Sequence, residues 1–570
     1  MTQRRGPTGP GGPGSCETER VELDLLVADA RLVDGTGAPW RRTDIGIADG
    51  RVAAIGRLAG DGVRARRVVE AADRVLCPGF IDIHTHSDHG ILADPTAECA
   101  VRQGATTHVI GNCGVSAAPV ADATRELAER QLGDYGHPVP FSWTTYSGYL
   151  EEVERRCVGI NVAPLVGHGT VRLAVLGFEE RPPTDAELDQ MRDHVEEAML
   201  AGCFGISTGL VYPPGCFGDT DEVATLAEVV ARHGGLYASH IRGERETILD
   251  AVRECIEIGE RSGCRTQISH NCPKYGGWHL QDEVIAMWED ARARGLEVSV
   301  DNDVHTDFAP TLREALPQWS HALTTEELLA LLADPERREA LKRETLEDRR
   351  PAFGPAGLLV HGAWDRIFIL RSPRHPEREG LTIAALAEGL GRDPFDAFLD
   401  EIVDERNEAQ GLFDYIDTGQ IARVLRHPLA MISSDGWVIP REARTAEPPP
   451  YVPCSYGEYP GVIERFVMNE PVLTLEEMVR KSTSMPAAKL GLTDRGVVRP
   501  GAWADLVLLD PPRVRDRATN LWPHRAPFEH YPHDFPEGID WVVVNGEVAV
   551  EDGAFTEALA GRVLRANRPA

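Results

Sequence analysis

The sequence predicts an α/β protein: a (β/α)8, TIM-like barrel with a small β-sandwich built from both chain ends and a helical insertion between strands 7 and 8. Three observations carry this prediction. Eight short apolar stretches alternate with helix-patterned segments through the middle of the chain. Side chains capable of chemistry stand at the C-terminal end of nearly every one of those stretches. Both termini change style, to short strands divided by Asp-Gly and Asn-Gly turns.

The elements follow in order. At 570 residues the chain exceeds one compact core, so several domains or one barrel with additions are expected. Residues 1–20, "MTQRRGPTGPGGPGSCETER", are rich in Pro and Gly and read as a disordered leader. The pair Arg4-Arg5 lacks the apolar stretch that an export signal needs. Residues 21–77 form the first part of the sandwich, turning at Asp34-Gly35 and Asp49-Gly50. Residues 485–570 form the second part, with turns at Asn545-Gly546 and Asp552-Gly553.

Between them, 78–484 is the barrel. Its strands lie in "GFIDIHTH", "ATTHVIGNCG", "VAPLVGHGT", "CFGISTGL", "GLYASHIRGE", "RTQISHNC", "LEVSVDNDV" and "LAMISSDGW". Their ends carry His84, His86, Cys113, His168, Ser207, His240, His270, Asp301 and Asp435. Residues 303–425 make a connection far longer than a barrel loop, and its helix-patterned stretches predict a helical lid over the mouth.

Apolar residues make up 42% of the chain, and no apolar run approaches the roughly 20 residues of a membrane span. Net charge is −31, which excludes nucleic acid and anionic membranes as expected partners. A cytoplasmic enzyme of small molecules is expected, its oligomeric state open between monomer and homodimer. Eleven cysteines form no disulfide framework, so single thiols are available as ligands.

The stretch "CPGFIDIHTHSDHG", residues 77–90, points to the chemistry. Read as a strand, it places Phe80, Asp82, His84 and His86 on one face and Ile81, Ile83 and Thr85 on the other. An i, i+2 pair aims two imidazoles the same way, as a metal requires. A dinuclear hydrolytic site draws histidines and anionic groups from several strands and keeps a position open for water. Cys113, His240, His270 and Asp435 supply the remaining strands. Each alone could be a core histidine, a small buried thiol or a turn aspartate; their joint placement argues for a metal. Thiolate with imidazole favours zinc over magnesium or calcium. Zinc would lower the pKa of a bound water toward ~7, and Asp435 would accept its proton and hand it to the leaving nitrogen.

The chain resembles the D-aminoacylases (N-acyl-D-amino-acid deacylases) of the amidohydrolase superfamily. The resemblance rests on "PGFIDIHTHSD", "RQGATTHVIGNCGVSAAP", "LVGHGTVR", "GISTGLVYPPG", "YASHIRGE", "ISH", "ISSDG", "YGEYP" and "VRKSTSMPAAKLGLTDRGVVRPGAWADLVLLDP", in that order. It implies that Cys113, His240 and His270 hold one tight zinc, with His84, His86 and Asp435 forming a second, weaker site. It implies Tyr212 as a pocket tyrosine and hydrolysis of a linear, non-peptide amide bond. Cys99, the competing thiol, lies on a helix-like stretch and reads as structural.

The pocket departs from the family. Members carry a lysine two residues after the second zinc histidine and an arginine in a His-Pro-Arg stretch before "YG". Here those positions are Cys272 and Cys454, with Val452 for the histidine, and "DNDVH" replaces an aromatic stretch at strand 7. A thiol cannot replace a bidentate guanidinium. Either Lys274 or Arg242 takes the substrate carboxylate, or the substrate lacks one, as an N-acyl amine, cyclic amide or natural-product amide does. His168 completes the candidate substrate contacts.

Other readings are set aside. "GISTG" fits a nucleophile elbow, yet "LVYPPGCFG" follows and cannot start the required helix. A non-catalytic scaffold should have lost ligands, and all six candidates are present. A hydantoinase-type site needs a bridging lysine at a strand end, whereas Cys113 is available for that bridge.

Overall fold

Eight parallel strands close into a barrel in the computed structural model, which describes residues 22–58, 63–133, 139–347, 354–444, 452–518 and 535–566. The leader expected at 1–20 lies outside the described residues. The first three barrel strands are Phe80–Asp82, Ala105–Ile110 and Asn161–Pro164, paired in that order. The third resumes after Leu165 as Val166–Gly167, which pairs with the fourth, Gly205–Gly209. Strands Leu236–His240, Arg265–Ile268, Val298–Asn302 and Ala430–Ile432 follow, each beside the last. The seam between eighth and first strands closes at Thr85 and Gly436. There His86 N donates to Gly436 O at 2.8 Å and Asp435 N donates to His84 O at 3.0 Å.

The histidines of "HTH" do not lie on a continuing strand. Ladder pairing of the first strand ends at Asp82, and the chain bends at Ile83 and His84. Phe80 stacks on Tyr459 at 4.6 Å. Ile81 and Ile83 instead join Ala163, Leu236, Ala238 and Met431 in one apolar cluster. That cluster draws on opposite sides of the closed sheet, so it fills the barrel interior. Phe80 and Asp82 thus lie on the Tyr459 side and Ile81 and Ile83 on the other, as alternation predicts, and the His84 and His86 nitrogens converge on one donor group beyond the end of the ladder.

The two chain ends share one nine-stranded sheet. Val75–Pro78 pairs with Glu22–Leu32 on one side and antiparallel with Leu506–Leu509 on the other. The sheet encloses a second apolar core in which Leu25, Val27 and Ile47 meet Leu506, Leu508 and Trp541. Asn545 Nδ2 donates to Asn161 Oδ1 at 2.8 Å, tying this sheet to the third barrel strand. The return to the sheet begins later than position 485: helix Ser484–Leu490 packs Ala487 and Leu490 into the barrel's own interior cluster.

The insertion is not purely helical. Helices such as Thr325–Ala333, Ile383–Leu390 and Pro394–Asp404 surround a three-stranded sheet of Asp307–Phe308, Gln410–Asp414 and Ile367–Arg371. Runs as short as "IFILR" and "QGLFD" have no period that separates a buried strand from a buried helix. The insertion rests on the loop after the sixth barrel strand. Tyr275 N donates to Tyr415 O at 2.9 Å, and the Arg366 guanidinium lies over the rings of Tyr275 and Trp278. Among the described residues, no helix is long and apolar enough to cross a membrane.

Candidate metal centre

Six of the predicted residues converge at the C-terminal end of the barrel. His84 Nε2 lies 3.2 Å from Cys113 Sγ and 3.3 Å from Asp435 Oδ1. His86 Nε2 is 2.9 Å from the same Asp435 oxygen. Cys113 Sγ is 3.7 Å from His240 Nδ1 and 3.6 Å from His270 Nε2. Two groups of donors result, His84–His86–Cys113–Asp435 and Cys113–His240–His270, with donor atoms in each within 4.8 Å of one another. Cys113 belongs to both. Thiolate, imidazole nitrogens and one carboxylate are the donor set that suits zinc.

The backbone is bent to achieve this. Cys113, His270 and Asp435 have φ of 49°, 33° and 53°, in the left-handed region that non-glycine residues rarely enter. Local hydrogen bonds hold them there. Asp435 N is fixed by His84 O, His270 N donates to Asp301 Oδ1 at 3.1 Å, and Gly114 N donates to Ser207 Oγ at 3.0 Å. Ser207 also gives its proton to Gly111 O, so this hydroxyl braces the Cys113 turn and is not a nucleophile.

Two buried carboxylates support the donors, and sequence reasoning assigned neither a role. Asp301 Oδ1 lies 3.2 Å from His84 Nδ1, and its other oxygen accepts from Gln267 at 2.5 Å. Glu244 Oε1 lies 3.6 Å from His240 Nε2 and 3.5 Å from His270 Nδ1. The available signal for Glu244 was its place four residues after a strand-end histidine, in "SHIRGE".

The electrostatics suit a cation. Burial alone would push the Cys113 thiol up, but the facing His84, His240 and His270 hold it well below its ordinary range. Burial likewise works against ionised Asp435, and His84 and His86 outweigh it. Burial disfavours the charged form of His86, yet Asp435 and Cys113 raise it to about 9. A metal must displace that proton, so zinc binding to the donor group that contains His86 weakens as pH falls. Zinc added to metal-free protein in weakly buffered solution at neutral pH is expected to release protons. A titration without acidification would contradict this picture.

Residues 67–338 and 382–550 match the model of the Amidohydrolase family. The chain belongs to this family. A D-aminoacylase of Alcaligenes xylosoxydans xylosoxydans is 33% identical over 552 residues, 96% of this chain and 99% of that protein. An N-acyl-D-glutamate deacylase of the same organism is 34% identical, covering 95% and 97%. The crystal structure of N-acyl-D-glutamate deacylase from Bordetella bronchiseptica, complexed with zinc and a phosphonate mimic of the tetrahedral intermediate, aligns with a TM-score of 0.73. Identity there is 32%, with 96% of this chain and 100% of that one covered.

On the substrate side of this amidohydrolase, the candidate residues differ in what engages them. The Arg242 guanidinium binds Glu254 at 2.9 Å, Cys216 O at 3.0 Å and Gly218 O at 2.8 Å. Its fork is consumed in bracing that loop and is not free for a carboxylate. His168 is fully buried, with Nε2 2.7 Å from Glu222, a carboxylate that also takes Arg172. Glu222 and Arg172 thus engage its ring in a buried ionic group. Cys272 turns into the core, its Sγ 3.9 Å from Gln281, and burial raises the thiol to about 12. Three candidates remain beside the donors. Tyr212 packs edge-on against the His240 ring at 4.9 Å. Cys454 Sγ is 4.0 Å from Asp435 O, and Lys274 Nζ is 3.4 Å from His270 O. Half-buried Asp303, at the end of the seventh strand, adds a carboxylate that burial and nearby Asp435 push up against the pull of Lys274.

Proposed function

We propose that this amidohydrolase is a zinc-dependent deacylase that hydrolyses the linear amide of an N-acyl-D-amino acid, a small cytoplasmic metabolite. The observation that carries the proposal is the pair of donor groups sharing Cys113, with half-buried Asp435 at the mouth. The activities of the D-aminoacylase and N-acyl-D-glutamate deacylase to which the chain is similar over nearly its whole length support it. In this reading Cys113, His240 and His270 hold one zinc tightly, and His84, His86 and Asp435 complete a second, weaker site around the shared thiolate.

Zinc, when bound, supplies Lewis acidity for the amide carbonyl and acidifies water to a pKa near ~7. The protein's residues do the rest. Asp435 accepts a proton on its carboxylate and returns it to the amide nitrogen, which cannot leave as an anion. Tyr212 borders the donors on the His240 side. Lys274 is the cation nearest His270 and offers its ammonium to the substrate's α-carboxylate. The insertion, anchored on the loop that carries Lys274, limits water at the mouth.

A second reading concerns the substrate alone. Cys454 beside Asp435, the consumed Arg242 fork and the extra charge of Asp303 all favour a substrate without a free α-carboxylate. Amine release from zinc-loaded protein would be measured with N-acetyl-D-methionine, its L-isomer and the matching D-carboxamide. The D-acid should be hydrolysed and the L-isomer spared. Lys274→Met should then raise KM for the acid about 10-fold or more, the value of one charged hydrogen bond. Turnover of the carboxamide alone would replace the first reading with the second. Turnover of none would reject N-acetyl-methionine-like substrates altogether.

A further inference from the structure

Glu244 stands on the loop after the fifth barrel strand, buried, with its backbone carbonyl accepting Lys274 N at 2.9 Å. An ionised carboxylate withdrawn from water needs strong partners. Those facing it are the His240 and His270 rings and, at 3.9 Å, the Lys274 ammonium. The arrangement of the two rings is specific. His240 turns Nδ1 to Cys113 and Nε2 to Glu244. His270 does the reverse, with Nε2 to Cys113 and Nδ1 to Glu244. The ring centroids are 4.3 Å apart and the planes cross at 74°. A single oxygen, Glu244 Oε1, lies 3.6 and 3.5 Å from the far nitrogens of the two rings, just beyond hydrogen-bond length, and acts on both as a nearby negative charge.

Neutral imidazole carries one N–H and one lone pair, and the partner of one nitrogen decides which sits where. A carboxylate accepts only. Its negative charge at 3.6 and 3.5 Å therefore favours N–H over a lone pair at His240 Nε2 and His270 Nδ1, leaving the lone pairs of His240 Nδ1 and His270 Nε2 on the Cys113 side. Without the carboxylate, either ring could present N–H to that side and lose its ability to bind a cation. We propose that Glu244 is a positioning residue that selects opposite tautomers of His240 and His270 and so builds the three-donor zinc group. The proposal rests on the zinc reading above. Because Oε1 also faces Lys274, the same carboxylate aligns the substrate-side ammonium with the metal group.

The test uses the full chain, first with zinc and a competing chelator, then with cobalt(II) in its place. Glu244→Gln replaces an acceptor by a group that can also donate. It is expected to weaken zinc binding by about 10- to 100-fold and to alter the visible absorption of the cobalt form. Glu244→Asp keeps the acceptor on a shorter arm and should recover part of both. A purely structural role for Glu244 would lower the melting temperature without changing the spectrum of bound cobalt. Wild-type affinity and spectrum in Glu244→Gln would overturn the proposal; if that variant does not fold, the same result in Glu244→Asp would do so. Cys113→Ser separates the two levels of inference: if it also leaves zinc affinity untouched, the metal reading has failed, not merely the role of Glu244.

Discussion

Asp435→Asn is expected to retain zinc in the Cys113–His240–His270 group and to lose turnover by roughly 10²- to 10⁴-fold, the value of a positioned acid–base group. The substitution is nearly isosteric and leaves an amide oxygen where Oδ1 faces His84 and His86. What it removes is the ability to accept a proton and pass it on. An amide nitrogen leaves only once protonated, so kcat should fall while KM changes little. Zinc content by elemental analysis and kcat on the best substrate would be measured on one preparation. A variant with full zinc and near-normal kcat would remove Asp435 from proton transfer.

Cys113→Ala is expected to have the other large effect, because its thiolate belongs to both donor groups. One substitution should deplete zinc from both and take activity to background. His86→Ala should spare the three-donor group and lose only the weaker ion. Dialysis of each variant against increasing chelator distinguishes the two patterns. If Cys113→Ala and His86→Ala lost zinc in parallel, the thiolate would not be shared. Restoring activity to chelator-treated wild type with zinc would complete the argument.

The barrel was legible because each short strand ended in a side chain with chemistry, from His84 to Asp435, and because turn pairs marked the flanking sheet. The six donor candidates could be named for the same reason. The opposite facing of Phe80 and Ile81 was legible from alternation, but the early end of the ladder at Asp82 was not. Nor was the small sheet of the insertion, whose five-residue runs suit a buried helix equally well. The partners of Arg242 and His168 were not legible either. A strand-end position fixes where a side chain starts, but Glu254 and Glu222, which capture these two, are set by tertiary packing. Glu244 escaped notice because an acid in a loop is ordinarily solvated, and only the folded chain buries it behind two imidazoles.

The left-handed backbone at Cys113, His270 and Asp435 has a practical consequence for anyone engineering this enzyme. Each is a position where glycine would be more comfortable, by roughly 1 kcal/mol or more. A redesign guided by heat resistance would single out all three as defects and repair them. The repaired protein would melt later and carry no metal, so these positions should be frozen before any such campaign begins, and gains sought in surface helices instead.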